Sequence, residues 1–182
     1  LPPKANASAT LFEATDARTI RYGLGAIKGV GTGLCEAIVQ AREAEGPFRD
    51  LLDFCQRVDA GRMNRRAVEA LINAGALDGL APNRASLLLQ LPEAMKASEQ
   101  AARSAAAGQV SLFGGFAEAP MAKLQLPACE EWPLEQLLAG ERETLGHYLS
   151  GHPIEPWREA LAELVSIRLH DVEATWAQRK DR

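Results

Sequence analysis

The sequence is poor in aromatic residues and histidine, and it lacks the signatures of several protein classes. Aromatic side chains make up 5% of the 182 residues, and only three histidines are present. The three cysteines, Cys35, Cys55 and Cys129, lie far apart and form no Cys-x-x-Cys pair. We therefore expect neither a disulfide framework nor a zinc site, and a reducing cytosol fits best.

Long apolar runs and an excess of positive charge are also missing. No apolar stretch approaches the ~18 residues of a membrane span, and no secretory signal opens the chain. The formal net charge of −4 argues against a strongly basic nucleic-acid binder but permits a local basic patch. Because 47% of the residues are hydrophobic, a folded core is expected. The absence of an initiating Met suggests a fragment of a longer protein.

Hydrophobic periodicity and turn residues predict a mostly α protein with a short β-hairpin near its N-terminus. Residues 1–22 are interpreted as a lead-in, unstructured over its first seven residues, followed by that hairpin. Residues 23–108 are interpreted as a tandem helix-hairpin-helix-like region. An irregular connection at 109–128, a helical segment at 129–165 and a polar tail at 166–182 complete the predicted order.

Several residues mark where the predicted helices begin and end. Asp50 and Asn64 are placed at helix starts, and Asn64 is a good N-cap. Asn83 begins a longer helix that Pro92 should kink or split. An apolar stripe at 134–149 predicts a further helix that stops at Ser150, and one more follows it.

A glycine-rich stretch between two predicted helices carries the first candidate site. Gly29, Val30 and Gly31 form a Gly-hydrophobic-Gly sequence, which is the core of a helix-hairpin-helix. Glycines let the backbone approach a ligand closely, and Val30 would hold the hairpin between its helices. The N–H groups of Gly31, Thr32 and Gly33 would then face outward at a helix N-terminus, which suits a DNA phosphate. Lys28 and Thr32 would add a charge and a hydroxyl. A plain glycine-rich turn between packed helices is about equally compatible with the spacing.

A second pair of predicted helices, joined by residues 59–63, offers a partner hairpin. Arg62, Arg65 and Arg66 cluster at this turn, although a solvated helix face would show the same pattern. Residues 28–66 contain seven Lys or Arg and six Asp or Glu, whereas residues 109–165 contain three and nine. The candidate DNA surface is therefore the less acidic part, and weak, salt-sensitive and nonspecific binding is expected.

The third candidate is the short stretch QVSLFG in the irregular connection. Leu112 and Phe113 are two bulky apolar residues that suit insertion into a groove of another protein. The Gln109 amide would supply hydrogen bonds at the edge of that groove. The alternative is an ordinary apolar patch that closes onto its own domain. Its position between an alanine-rich helix and two prolines favours the docking peptide.

Other patterns give weaker indications of chemistry. Asp50 and Asp53 share a helix face, but negative charge in a first helical turn is a common stabilising arrangement. His147 and His152 lack further ligands at metal-binding spacing. We predict no catalytic residue and no metal ligand in this chain.

Four ordered motifs together resemble the bacterial C-family replicative polymerases, the family of the DNA polymerase III alpha subunits. IRYGLGAIKGVG at 20–31 resembles the family's helix-hairpin-helix entry, and FRDLLDFCQRVD with MNRRAVEALINAGALDGL resembles the helices after it. QVSLFG resembles the internal sliding-clamp motif, and ERETLGHYLSGHP at 141–153 resembles the segment before the oligonucleotide-binding domain. The resemblance covers most of the chain.

The resemblance implies a piece that spans the end of the fingers region and the clamp-binding domain. The implied partners are duplex DNA, the sliding clamp (beta subunit) and other replicase subunits, with no membrane. Lys28, Gly29, Gly31 and Thr32 carry over as duplex contacts, and Gln109, Leu112 and Phe113 as clamp contacts. The family's palm domain, with two divalent ions (Mg²⁺), is not matched, so the chain alone is expected to be inactive in nucleotidyl transfer.

Two other functions remain open from the residues alone. One is a non-catalytic helix-hairpin-helix module that binds DNA while QVSLF packs inside the protein. The other is an independent repair enzyme, such as a nuclease or glycosylase, because such hairpins recur in those classes.

Overall fold

The computed structural model describes residues 1–106, 127–167, 169–173 and 176, with residues 105 and 106 described by backbone only. The chain divides into two compact units, Leu1–Ser150 and Gly151–Arg182. The described part of the chain is mostly helical, with one two-stranded antiparallel hairpin near the N-terminus, so the predicted fold class is confirmed. No helix in the described ranges is long and apolar enough to cross a bilayer.

The described residues of the first unit form the hairpin and five α-helices. The strands are β1 (Glu13–Ala14) and β2 (Ile20–Arg21), with Glu13 opposite Arg21 and Ala14 opposite Ile20. The helices are α1 (Thr32–Glu45), α2 (Leu51–Arg57), α3 (Arg65–Asn73), α4 (Arg84–Ala106) and α5 (Leu134–Leu145).

The first seven residues pack against the helices, which makes the expectation of an unstructured lead-in wrong. The N–H of Ala5, a residue 1% exposed, donates to the carbonyl of Ala76 at 2.7 Å. The Arg42 guanidinium donates to the carbonyls of Ala5 and Ser8, and the Asn6 side chain exchanges two hydrogen bonds with the Phe48 backbone. The backbone N–H and carbonyl groups of this segment are thus hydrogen-bonded by groups that are distant in the sequence.

Side-chain caps begin three of the helices as the sequence predicts. The carboxylate of Asp50 accepts from the Asp53 N–H at 2.8 Å, and the amide oxygen of Asn64 accepts from the Ala67 N–H at 2.9 Å. The Asn83 amide oxygen accepts from the Ser86 N–H at 2.8 Å. Each cap satisfies a donor that has no partner within its helix.

Helix α4 runs without a break through Pro92, so the predicted split does not occur. Pro92 is exposed, and α4 continues through it although proline has no N–H to donate within the helix. Residues 127–132 lie along the first two turns of α4 in the opposite direction. The Gln90 side chain donates to the Pro127 carbonyl, and the Cys129 backbone exchanges hydrogen bonds with the Ser86 hydroxyl. Glu131 then accepts from the N–H groups at the start of α4.

Helix α5 ends earlier than the apolar stripe suggests. Gly146, with φ +81°, takes the left-handed conformation after Leu145 and donates to the Arg142 carbonyl. A glycine in this conformation ends helices readily. Tyr148 and Leu149 therefore lie beyond the helix, and the predicted end at Ser150 is wrong by one turn.

The core of the first unit forms where α2 and α3 pack against α4 and where α3 packs against α5. Its largest fully buried apolar side chains each contribute roughly 1.5–3 kcal/mol by leaving water. They include Leu24, Ile38, Phe54, Leu71, Leu87 and Leu91. Cys35 and Cys55 are free and buried in this core, and burial raises the pKa of the Cys55 thiol to about 12.

The second unit contains a short turn of 3-10 helix at Glu155–Trp157 and α6 (Arg158–Leu164). The helix predicted to follow Ser150 is thus present as α6. Trp157 is 65% exposed and Leu164 82% exposed, so its apolar face contributes little to a core within this unit.

Candidate nucleic-acid interface

The first hairpin has the backbone geometry that its glycines predict. A turn of 3-10 helix at Leu24–Ala26 leads through Lys28 to Gly29, whose φ of +91° lies in the left-handed region. Such a conformation strains residues with a side chain. Val30 is 8% exposed and its N–H donates to the Ile27 carbonyl, so it holds the turn against the core.

Gly31 has a different role from Gly29. Its backbone is extended (φ −77°, ψ 150°), and a Cβ built on it would meet no atom within 4 Å. The fold would therefore accept a larger residue at this position. A bare backbone at Gly31 leaves space for something outside the chain to approach the start of α1.

The start of α1 presents a row of unpaired backbone donors. The N–H groups of Gly31, Thr32 and Gly33 donate to no acceptor among the described residues, and Gly31 supplies no side-chain cap. Gly31 and Thr32 are exposed. The 14 residues of α1 align their peptide dipoles with the positive end at this row. The arrangement suits an anion such as a phosphate.

The Lys28 side chain, next to this row of donors, fits the same anion. Lys28 is exposed, and its ammonium makes no ion pair with a described residue, while its backbone N–H donates to the Thr144 carbonyl at 2.9 Å. This hydrogen bond ties the hairpin to the end of α5. The Tyr22 hydroxyl adds a second tie by donating to the Leu145 carbonyl at 3.3 Å.

The second hairpin lies directly beside the first. Its turn is closed by Asp59, whose carboxylate accepts from the Gly61 N–H and whose carbonyl accepts from the Arg62 N–H. The Arg62 guanidinium reaches across to the Gly33 carbonyl at 3.4 Å. A Cβ placed on Gly29 would lie 3.6 Å from the Ala70 methyl group. Two hairpins that are about 30 residues apart in sequence therefore form one surface.

The three arginines predicted at this surface differ in their partners. Arg62 is half exposed and lies near the carboxylates of Glu36 and Asp59. Arg65 pairs with Glu69 at 2.7 Å, one turn along α3. Arg66 is exposed and makes no ion pair with any described residue. The positive charge available at this surface is therefore smaller than the number of arginines suggests.

A buried ion-pair network behind the hairpins escaped the sequence analysis. The Arg84 guanidinium contacts Asp78 and Glu141, each at 2.9 Å, and Glu141 is fully buried. Glu141 also accepts from the N–H groups of Leu149 and Ser150. Its only sequence signal was membership of the ERETLGHYLSGHP motif. The network joins the start of α4 to α5 and so supports the helix end that contacts Lys28.

Asp78 and Arg84 of this network line a cleft of about 290 Å³ together with Asn83, Glu131 and Leu137. The N–H groups at the start of α4 already donate to Glu131. Burial raises the pKa of Glu131, but these hydrogen bonds and Arg84 outweigh it and hold the pKa below its ordinary value. The first amides of α4 therefore already donate to a carboxylate of the chain itself.

Asp50 and Asp53 have structural roles, in agreement with the plainer sequence interpretation. Asp50 caps α2, and Asp53 pairs with Arg49 and Arg57. Burial raises the pKa of Asp53, but hydrogen bonds from Arg49 and Arg57 outweigh it and lower the pKa overall. No group of three or more potential metal ligands occurs within residues 1–106 or 127–167. The clamp-motif residues Gln109, Leu112 and Phe113 lie outside the described residues.

Known proteins match the chain along almost its whole length. Residues 1–87 match the family described as helix-hairpin-helix motif. The DNA polymerase III subunit alpha of Xylella fastidiosa (strain Temecula1) is 58% identical over 171 residues, which cover 93% of this chain and 14% of the relative. The corresponding subunit of Escherichia coli (strain K12) is 45% identical over 177 residues, with 96% and 15% covered.

The chain belongs to the DNA polymerase III alpha subunit family. The subunit of Vibrio cholerae (serotype O1, strain ATCC 39315) is 43% identical over 96% of the chain and agrees with this. The chain spans 14–15% of the length of these family members. The resemblance seen in the four sequence motifs is thereby confirmed.

Proposed function

We propose that this chain is the part of a bacterial replicative DNA polymerase that holds duplex DNA by its phosphate backbone. The observation that supports this most directly is the shared surface of the two hairpins. It combines the unpaired N–H groups of Gly31, Thr32 and Gly33 with the cations Lys28 and Arg66. Backbone donors and flexible cations recognise phosphates and carry no base sequence, which suits an enzyme that must act on any template.

We further propose that the chain tethers the polymerase to the sliding clamp through Gln109, Leu112 and Phe113. The support is the QVSLF sequence itself, which lies in the connection between α4 and residues 127–132. A tether raises the effective concentration of the enzyme at the primer end, so a weak peptide contact suffices. The contact joins the two functions, because the clamp encircles the same duplex that the hairpins would hold.

The whole protein, on this proposal, is a DNA-directed DNA polymerase that works with other replicase subunits. Its nucleotidyl transfer would use two divalent ions, Mg²⁺ by expectation, held by carboxylates of a palm domain. The residues of this chain would position the duplex and retain the clamp, while the chemical step takes place elsewhere in the protein.

Gly31→Val tests the duplex site, because the fold leaves open space around this position. The added methyl groups would block a phosphate from the α1 amides, and the loss of about one charge-assisted hydrogen bond should weaken binding roughly fivefold or more. Fluorescence anisotropy with a labelled duplex at several salt concentrations measures this.

Ala44→Val is the matched control, since it adds similar bulk to an exposed position at the other end of α1. Both variants should keep the helical circular dichroism of the wild type. Equal affinities and salt slopes for Gly31→Val, Ala44→Val and the wild type would place the duplex elsewhere.

Leu112→Ala with Phe113→Ala tests the tether. Truncating two apolar anchors should weaken clamp binding by at least ~30-fold in calorimetry, while the duplex affinity of the same variant stays unchanged. Undiminished clamp affinity would reject the motif. Duplex binding without any clamp binding by the wild type would favour the alternative, a DNA-binding module in which QVSLF has no partner outside the chain.

A further inference from the structure

The Arg62 guanidinium is held between the two hairpins by groups from both. Its Nη1 atom lies 3.4 Å from the Gly33 carbonyl oxygen and 3.4 Å from Glu36 Oε2. Its Nε atom lies 3.6 Å from Asp59 Oδ2. Arg62 and Asp59 belong to the second hairpin, whereas Gly33 and Glu36 belong to α1. The guanidinium is therefore placed beside the row of α1 amides by two carboxylates.

These contacts are open to replacement. The Arg62 side chain is 50% exposed, and the side chains of Glu36 and Asp59 are each 60% exposed. The distances from the guanidinium nitrogens to the two carboxylate oxygens exceed those of a well-formed charge-assisted hydrogen bond. Exposed ion pairs of this kind are weak and are screened by salt. A phosphate oxygen, which carries charge and several acceptor sites, can displace either carboxylate from the guanidinium.

The same carboxylates act against a phosphate that approaches the α1 amides. Glu36 lies one turn after Thr32, and Asp59 lies in the neighbouring turn. Their negative charges repel the DNA backbone while they neutralise Arg62. Lys28 and Arg66, which have no such partner among the described residues, lose no comparable contact when they meet a phosphate.

We propose that Glu36 and Asp59 restrain Arg62 and thereby set duplex affinity below the level that the hairpin surface would otherwise reach. A DNA phosphate takes their place on the guanidinium, and cations return to the freed carboxylates. The proposal rests on the proposed duplex-binding function. A polymerase that translocates along DNA needs backbone contacts that exchange readily, and this arrangement supplies one.

Glu36→Gln removes the opposing charge and keeps an oxygen that accepts from Arg62. It should tighten duplex binding roughly two- to fivefold, and adding Asp59→Asn should tighten it further. The Asp59→Asn change retains a side-chain oxygen that can accept from the Gly61 N–H, as the Asp59 carboxylate does. The slope of log K against log salt should steepen by up to ~0.9, since fewer cations return to freed carboxylates on binding.

Glu43→Gln is the matched control. Glu43 lies on α1 seven residues after Glu36, on the same helix face and about 10.5 Å further along the axis, which is about one Debye length at 0.1 M salt. It is exposed and has no ion pair with a described residue. The control carries the same change in net charge and should alter duplex affinity by less than about 1.5-fold.

Three outcomes decide between the possibilities. A gain for Glu36→Gln that shrinks when Arg62 is also changed to Gln supports the restraint, and any gain that remains measures the direct repulsion of the DNA by Glu36. Equal effects of Glu36→Gln and Glu43→Gln, or a gain that is undiminished without Arg62, overturn the restraint while leaving duplex binding intact. Failure of the wild type and of every neutralised variant to bind duplex overturns the proposed duplex function together with the restraint.

Discussion

Two arginines in this protein each bridge separate elements through carboxylates, and they differ mainly in burial. The Arg84 side chain is 8% exposed and its partner Glu141 is fully buried, with 2.9 Å between the charged atoms. The Arg62 side chain is 50% exposed and its partner Glu36 60% exposed, at 3.4 Å. The first pair joins α4 to α5 in the interior, and the second lies on the surface that we propose binds DNA.

Burial decides which of the two arginines can meet a ligand. Removing Arg84 from Glu141 would leave a charge without water in the interior, and this is costly. Removing Arg62 from Glu36 exchanges one solvated contact for another. The same pair of residue types therefore stabilises the fold in one place and remains exchangeable in the other.

The largest effect that tests this difference is the change in stability on removing each arginine. Arg84→Met should lower the free energy of unfolding by about 3–5 kcal/mol, because Glu141 stays buried and loses its cation. Urea denaturation followed by circular dichroism measures the loss.

Arg62→Met provides the comparison. Its stability should change by less than about 1 kcal/mol, whereas its duplex affinity should fall. Similar stability losses for both variants would contradict the distinction between a structural and an exchangeable arginine.

Acid should reveal the buried pair through Glu141. Burial raises the pKa of this carboxyl, but hydrogen bonds from the Ser150 hydroxyl, the N–H groups of Leu149 and Ser150, and Arg84 outweigh it and lower the pKa. A lowered folded-state pKa contributes stability that is present above the ordinary carboxyl value of about 4.5 and is lost as the pH falls through the lower folded value.

The measurement is the urea midpoint between pH 7 and pH 3 for the wild type and Glu141→Gln. Below pH 4.5 the wild type should lose stability more steeply than the variant, whose side chain does not titrate. Asp53 and Glu131 also have lowered pKa values and remain in both proteins, so the variant keeps part of the slope. Identical slopes would show that Glu141 carries no such stability.

Local patterns were sufficient for much of the fold and for the hairpin glycines. The caps at Asn64 and Asn83 and the burial of Val30 follow from side-chain chemistry within a few residues. The end of α5 at Gly146 was missed because apolar residues beyond it continued the helical spacing. The packing of residues 1–7 was missed because it depends on Arg42, a partner more than 30 residues away.

The site was predictable in its residues but not in its electrostatics. The sequence places Lys28 and the three arginines near the two turns, yet it does not show which cations already have carboxylate partners. Arg62 and Arg65 pair with acidic residues, and only the folded chain distinguishes them from Arg66. The Arg84 network was invisible, since Glu141 lies 57 residues from Arg84 in the sequence and meets it only in the folded chain.

The smallest predicted effect compares the starts of α1 and α3. Asn64 caps α3 with its side chain, whereas Gly31 leaves the first amides of α1 bare. Gly31→Asn should let a side-chain oxygen accept from the second or third amide of α1, because the extended backbone at Gly31 already suits an N-cap. The free energy of unfolding should rise by a few tenths of a kcal/mol. Duplex affinity should fall at the same time, since an internal acceptor then competes with the phosphate for those donors.

Thermal denaturation and anisotropy on the same sample report both quantities. A stabilised variant with unchanged duplex affinity would show that the α1 amides make no contact with DNA, and the phosphate would then be held by side chains alone.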